Sequence, residues 1–396
     1  MIKSILDTDL YKFSTSYAYF KLYPLADGTF TFNDRNREDW GDDKDEFMSQ
    51  FMDEIRMATE LHLSPIEKEW CIEKIPYIPQ TYWEWLETFR FDYNKVKVWF
   101  DDNGVFNCSV TDKLYKVTFY EILVLATYSE LRNRFKEKKT GKHVDIDDVV
   151  TRTFEKVSFA DQNVISFSEF GTRRRYSSEV HEAVVETLKS SNTCAGTSNV
   201  HYARKYNMKP IGTFPHEWIM FHAACFGYKR ANYLGLEDWI DVYHGDLGIS
   251  LVDTYTTDSF LRTLTKKQAY LLSGFRQDSG DEFAVGNKII RRLKEFGIDP
   301  TTKAIVFSNA LDMLKANTIN NYFKGKCRVS FGIGTNLTCD TNMDWKPANI
   351  VMKLSKCRMS PKDPWENCIK ISDDIGKHMG DNMEFDVANK ELKLNI

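Results

Sequence analysis

The sequence predicts an α/β protein: an irregular α/β barrel preceded by an N-terminal α+β sandwich domain. Three observations predict it. From about residue 150 onward, strand-like and helix-like segments alternate with short connections, the pattern of parallel βα units. Polar residues recur where those strands end, and parallel α/β folds bind ligands at the C-terminal ends of their strands. Before about residue 140 the rhythm differs, with amphipathic helices and short strands separated by turns. Periodicity does not separate a closed barrel from an open sheet. The barrel is favoured because no GxGxxG opens the region and polar residues follow nearly every strand.

The elements follow in chain order. Asp43–Leu61 and Pro79–Phe89 have helical spacing, with Pro79 suited to a first turn. Val96–Phe100, Val105–Val110 and Tyr115–Thr118 read as short strands. The lysine-rich stretch Arg134–His143 is the best candidate boundary, giving an N-terminal domain over 1–140 and a barrel over 145–340. A segment over 345–396 is expected to pack back on the first domain. Within the barrel, Val164–Phe170 is a strand, and Ser178–Leu188 a helix with Val180, Ala183, Val184 and Leu188 on one face. Pro210–Thr213 is extended and leads into a helix at His216. Ile249–Asp253 is a strand, and a helix follows near Asp258–Leu264. Asp281–Phe296 is an amphipathic helix stopped by Gly297. Lys303–Ser308 is a strand, Leu311–Phe323 a helix, and Val329–Ile333 a strand.

Composition bounds the function. The 396 residues carry 53 basic and 57 acidic side chains, so no basic excess argues for nucleic acid. Hydrophobic residues make up 42%, enough for a large core. The 8 cysteines are scattered with no CxxC, which points to reduced thiols in a cytoplasmic protein rather than a zinc or redox site. No apolar window of about 18 residues exists to span a membrane, and Met1–Asp9 does not read as a signal peptide.

The most informative stretch is Gly212-Thr213-Phe214-Pro215-His216, which opens the apolar segment Glu217–Phe226. It puts an imidazole at a helix start, where unpaired N–H groups and partial positive charge favour a neutral ring and stabilise a phosphoryl group on it. That suggests histidine phosphorylation and a use of ATP without a Walker A motif, which the chain lacks. Other strand ends add complementary chemistry. Glu169-Phe170-Gly171-Thr172-Arg173 offers an aromatic face and a guanidinium fork for phosphate. Gly196-Thr197-Ser198-Asn199 is a small polar loop that suits a carboxylate, a phosphate or a plain turn. Gly274-Phe275-Arg276-Gln277-Asp278-Ser279-Gly280-Asp281 sets an arginine, carboxylates and a serine before a helix, a set that suits a ribose diphosphate. Gly332-Ile333-Gly334-Thr335 reads as a phosphate cradle.

Together with Ser4–Lys12, these ordered motifs resemble bacterial nicotinate phosphoribosyltransferases. The resemblance implies the type II phosphoribosyltransferase fold and synthesis of nicotinate mononucleotide and pyrophosphate from nicotinate and 5-phosphoribosyl-1-pyrophosphate (PRPP). It implies coupling to ATP hydrolysis through a phosphohistidine, with Mg²⁺ held through substrate phosphates rather than by the protein. It assigns His216 as the phosphorylated residue and Asp253 as a candidate to hold its other ring nitrogen. Arg173 and Arg276 would bind the donor, Asp278 and Ser279 with Gly280 would lie near its ribose, and Gly332, Gly334 and Thr335 would hold the 5′-phosphate. Tyr11 and Phe170 would stack on the pyridine ring, with Thr197 and Ser198 beside it. In relatives that tyrosine comes from a partner subunit, so a homodimer with shared sites is expected. Relatives that use nicotinamide have aspartate where this chain has Ser198, which favours the acid as substrate. A nicotinamide-using enzyme, a non-catalytic phosphate-binding protein on the same fold, and a barrel enzyme acting on a sugar phosphate are the alternatives.

Overall fold

A computed structural model of the chain describes residues 1–374 and 377–394. The ends of the expected C-terminal segment at 395–396, and its residues 375–376, lie outside the described residues. The strands are β1 (Asp27–Asp34), β2 (Val96–Phe100), β3 (Phe106–Lys113), β4 (Phe167–Glu169), β5 (Cys194–Thr197), β6 (Ile249–Leu251), β7 (Gly274–Gln277), β8 (Ala304–Phe307), β9 (Arg328–Ile333), β10 (Ile350–Arg358) and β11 (Glu366–Asn367). They form a sheet of order β11-β10-β1-β3-β2 and another of order β5-β4-β9-β8-β7-β6.

The second sheet is parallel throughout, as βα alternation requires. A bridge from Thr197 to Pro210 extends it beyond β5. Among the described residues no ladder joins that edge to β6, so the barrel is irregular. Every strand of this sheet delivers its C-terminal end to the same side, which sets the site.

The first sheet is antiparallel and is completed from the far end of the chain. β10 pairs along the whole of β1, from Asp27↔Arg358 to Asp34↔Ile350. One face alternates inward, with Phe30, Phe32, Phe106, Val110, Met352 and Leu354 all buried. Beyond β10 the chain returns to the barrel side, where Tyr228 donates to Glu384 at 2.8 Å.

Two expectations fail here for physical reasons. Tyr115–Thr118 is not a strand; the chain turns into a short helix, Leu114–Val117. Leu114 and Val117 are both fully buried one turn apart, and Leu114 fills the space over Gly28, where a Cβ would lie 2.3 Å from its Cδ2. Arg134–His143 is not a linker over most of its length. It is the end of a helix, Tyr120–Thr140, stopped by Gly141 at φ 67°. The first part of that helix is buried on every side, so it shows no amphipathic stripe. It is wedged between the two units: Ser129 donates to the Arg175 carbonyl at 2.8 Å and Asn133 to the Tyr176 carbonyl at 2.9 Å.

Candidate active site

A cavity of about 370 Å³ opens at the C-terminal ends of the parallel strands. Most of the motif residues meet in it: Tyr11, Phe170, Arg173, Ser198, His216, Arg276, Asp278, Gly332, Gly334 and Thr335 all line it. The loops that follow β4, β9, β8 and β7 bring in Phe170, Gly334, Ser308 and Asp278 in turn.

His216 is the first residue of the helix His216–Phe226 and is 6% exposed. Lys370 Nζ lies 3.0 Å from its Nε2, and Thr254 Oγ1 lies 3.1 Å from its Nδ1. The Lys370 ammonium can only donate, which favours the tautomer with the lone pair on Nε2 and Nδ1–H on the threonine hydroxyl; an ionised carboxylate can only accept, so Asp278 at the same nitrogen favours the other tautomer. Burial and the Lys370 charge hold His216 well below the ordinary imidazole range. The ring is therefore neutral near pH 7. Asp278 Oδ2 lies 3.2 Å from the same nitrogen. Its other oxygen accepts from Arg276 Nη2 at 3.2 Å. Burial opposes ionisation of Asp278, but Arg276 and His216 outweigh it and hold the carboxyl well below its usual range.

Arg276 is fixed by three bonds. Nε donates to Ser308 at 2.9 Å, Nη1 to Thr213 at 3.0 Å, and Nη2 to Asp278, with its guanidinium 5.5 Å from the Phe170 ring centre. Gly332 gives that ring its place, since a Cβ there would come within 2.4 Å of it. Tyr11 is positioned through its N-terminal neighbours. Arg175 makes a bidentate pair with buried Asp7, at 2.8 and 3.1 Å, and Asn199 Nδ2 donates to the same carboxylate at 2.8 Å. The Leu10 N–H then donates to the Ser198 carbonyl.

Some motif residues stand behind the cavity instead of lining it. Asp253 does not hold His216. Thr254 takes that bond because it follows the strand end by one more residue, and Asp253 instead accepts from the Ser279 hydroxyl. Ser279 is fully buried by that bond and does not face the cavity. Burial raises the Asp253 carboxyl to about 6. Gly280 adopts φ 78° to turn the chain into the next helix, and its carbonyl accepts from Gln277 at 2.8 Å. Thr197 donates to Glu169 Oε2 at 2.5 Å, and Glu169 is itself 3.1 Å from His181. Tyr11 lines the cavity of its own chain, so a tyrosine stands at the site without one from a partner.

Arg173 and Arg276 are only two of the cations at the cavity. Arg35, Arg174, Lys353, Lys370 and Lys377 also line the cavity, giving seven basic residues against two acids, Asp9 and Asp278. Among the described residues Arg35, Arg173 and Arg174 make no ion pair. Burial and the neighbouring guanidiniums lower Arg174 to about 9, and burial lowers Lys353 to about 8. Lys370 carried one legible signal: it is a lysine between Ile369 and Ile371, both fully buried. Such crowded, desolvated cations need a polyanion to neutralise them.

A parallel α/β domain with a phosphate-hungry cavity, an aromatic pair and a buried neutral histidine at its strand ends defines a class, the enzymes that handle a sugar phosphate or diphosphate. The comparisons specify it. The model of the nicotinate phosphoribosyltransferase (NAPRTase) family matches residues 165–395, and that of the NAPRTase N-terminal domain matches residues 6–129. The chain is 40% identical over 395 residues to a nicotinate phosphoribosyltransferase of Desulforapulum autotrophicum, with 99% of each covered. It is 37% identical to that of Chromohalobacter salexigens, covering 100% of this chain and 99% of the relative. The crystal structure of nicotinate phosphoribosyltransferase from Porphyromonas gingivalis superimposes with a TM-score of 0.96 at 45% identity, covering 100% of both chains. The chain belongs to the nicotinate phosphoribosyltransferase family and has its type II phosphoribosyltransferase fold. No helix among the described residues is long and apolar enough to cross a membrane.

Proposed function

We propose that this enzyme transfers the phosphoribosyl group of PRPP to the ring nitrogen of nicotinate and couples the transfer to ATP hydrolysis through a phosphohistidine at His216. One observation carries the coupling: a buried neutral imidazole presents Nε2 beside Lys370 in a cavity lined by seven cations. Nε2 attacks the γ-phosphorus of ATP, and the bond to the β,γ-bridging oxygen breaks with its electron pair leaving on ADP. Lys370 and the helix start neutralise the phosphoryl charge, and Nδ1–H on Thr254 holds the ring. Water later takes the phosphoryl group as inorganic phosphate.

In the transfer itself the pyridine nitrogen attacks the anomeric carbon, and the carbon–oxygen bond to pyrophosphate breaks with its pair on the leaving group. Charge builds on pyrophosphate, so Arg173, Arg276 and the lysines act by electrostatics and positioning rather than by proton transfer. Tyr11 and Phe170 would flank the ring. Gly332, Gly334 and Thr335 would cradle the 5′-phosphate.

His216, Asp253 and Asp278 each offer a ligand atom within 4.8 Å of the others. Lys370 on His216 and Arg276 on Asp278 make that trio a poor cation cage alone. The residues fit Mg²⁺ that arrives on substrate phosphates, where it would neutralise leaving-group charge. Tyr11 in its own chain's cavity supports a site complete within one chain, whether or not a homodimer forms.

The test is direct. Purified protein with nicotinate and PRPP should form nicotinate mononucleotide and pyrophosphate, faster with ATP and Mg²⁺ than without. Turnover of nicotinamide in preference to nicotinate would overturn the substrate assignment.

A further inference from the structure

Asp9 sits where the acid substrate would least welcome it. It is 4% exposed and lines the cavity beside Tyr11 and Ser198. Its Oδ1 accepts from the Ser198 hydroxyl at 2.7 Å, and Ser198 is also 4% exposed. Ser198 is neutral, but this end of the cavity is not uncharged; Asp9 supplies a carboxylate through the serine.

The groups around Asp9 come from three elements. β4 and the segment after it contribute Glu169, Thr172 and Arg173; the turn after β5 contributes Ser198 and Asn199; its own helix contributes Tyr11. Arg173 is the one cation among them. Glu169 is committed to His181, Thr197 and the Gly171 N–H. A nicotinate carboxylate entering here would face Asp9 across a single hydroxyl, and two carboxylates in one desolvated site cannot both stay ionised cheaply.

We propose that Asp9 takes up one proton when nicotinate binds, and that protonated Asp9 and Ser198 then act as a donor relay that recognises the nicotinate carboxylate. The inference rests on the reading that the pyridine ring lies between Tyr11 and Phe170. Its balance is simple. One proton moves from solvent to Asp9. The Asp9 O–H donates to Ser198 Oγ, and the Ser198 O–H turns from Asp9 to the substrate carboxylate. The proton returns to solvent when product leaves. Burial already raises Asp9 above its ordinary range, against the bonds from Ser198 and Thr172 and the Arg173 charge, so the uptake starts partly prepared. Asp9 is on this account a specificity-determining residue: it accepts nicotinate only with a proton.

The test compares an anion with its neutral analogue. The KM for nicotinate, at saturating PRPP, and the inhibition constant of nicotinamide are measured from about pH 6 to about pH 9. For the wild-type enzyme the ratio of KM to inhibition constant should rise with pH, approaching about tenfold per unit where Asp9 is ionised in the free site. Groups that affect both ligands cancel in that ratio. Asp9→Asn, which keeps a donor at this position without titrating, should give a flat ratio and a lower KM than wild type at the alkaline end. A flat wild-type ratio overturns the inference even if Asp9→Asn does not fold, and an unchanged slope in a folded Asp9→Asn also overturns it. Failure to turn over nicotinate at all would instead sink the substrate reading, so the two failures are distinct.

Discussion

Lys370 Nζ lies 3.0 Å from His216 Nε2, and both residues line the cavity at the strand ends. This contact lowers the proton affinity of the imidazole and marks where a phosphoryl group would be neutralised. It joins the last part of the chain to a helix that begins in its middle, so the proposed chemistry depends on a segment far from any of the recognised motifs.

Replacing Lys370 by Met should cut ATP hydrolysis about a hundredfold, the scale of losing one charge-stabilising donor. It should also move the pH profile in a defined direction. The Lys370 charge pushes His216 down, so removing it raises the His216 value. More of the ring is then protonated, and inactive, as pH falls below neutrality. The acid limb of kcat for the variant should lie at higher pH than that of wild type. Coincident acid limbs would contradict the contact's proposed role.

Asp7 and Arg175 are both fully buried and pair with each other. Arg175→Met should cost about 3–5 kcal/mol, because it strands a carboxylate in the core. Burial opposes the Asp7 charge, but the Arg175 charge and hydrogen bonds outweigh it and hold Asp7 below its ordinary value of 3.8. A depressed carboxylate contributes stability that is present above its unfolded value and lost as pH falls through the folded one. The contribution of the pair should therefore be constant near pH 7 and vanish only in strong acid. Urea unfolding of the variant at neutral and acid pH checks both the size and the sign.

Tyr11 lines the cavity of its own chain. Mixing Tyr11→Ala chains with His216→Ala chains, each lacking ATP-stimulated activity, should therefore restore none. Sites shared between subunits would instead rebuild some intact sites in the mixture, and recovered activity would show that.

Ser198→Asp would place a second carboxylate against Asp9. The ratio of nicotinate KM to nicotinamide inhibition constant should rise at least about tenfold, the effect of about one pK unit of like-charge repulsion. Steady-state kinetics with both ligands measures it. An unmoved ratio would mean that the ring substituent lies elsewhere.

The barrel half was legible because its helices show one apolar stripe and its strands end in turn chemistry. Ser178–Leu188 comes out residue for residue, and Val329–Ile333 within one residue of β9. The N-terminal half was less legible. The helix Tyr120–Thr140 is buried all round, so its pattern carries no period, and its basic end looked like a linker. The partnership of β10 with β1 joins residues more than 300 positions apart, which no local pattern reports. The site divides in the same way. Phe170, Arg173, His216, Arg276 and Asp278 stand in motifs and meet in the cavity. Ser279 and Asp253 stand in or beside the same motifs yet face each other behind it, because alternate residues after a strand point to opposite sides. Lys353, Lys370 and Lys377 belong to no motif, and only the fold brings them to the histidine.

The most direct test of the account is the fate of the γ-phosphate. Wild-type protein incubated with γ-labelled ATP and Mg²⁺ should acquire an acid-labile, alkali-stable label that maps to His216. His216→Ala should take up none, and should keep weak phosphoribosyl transfer that ATP no longer stimulates. ATP stimulation of equal size in His216→Ala would contradict the phosphohistidine and, with it, the role given to Lys370.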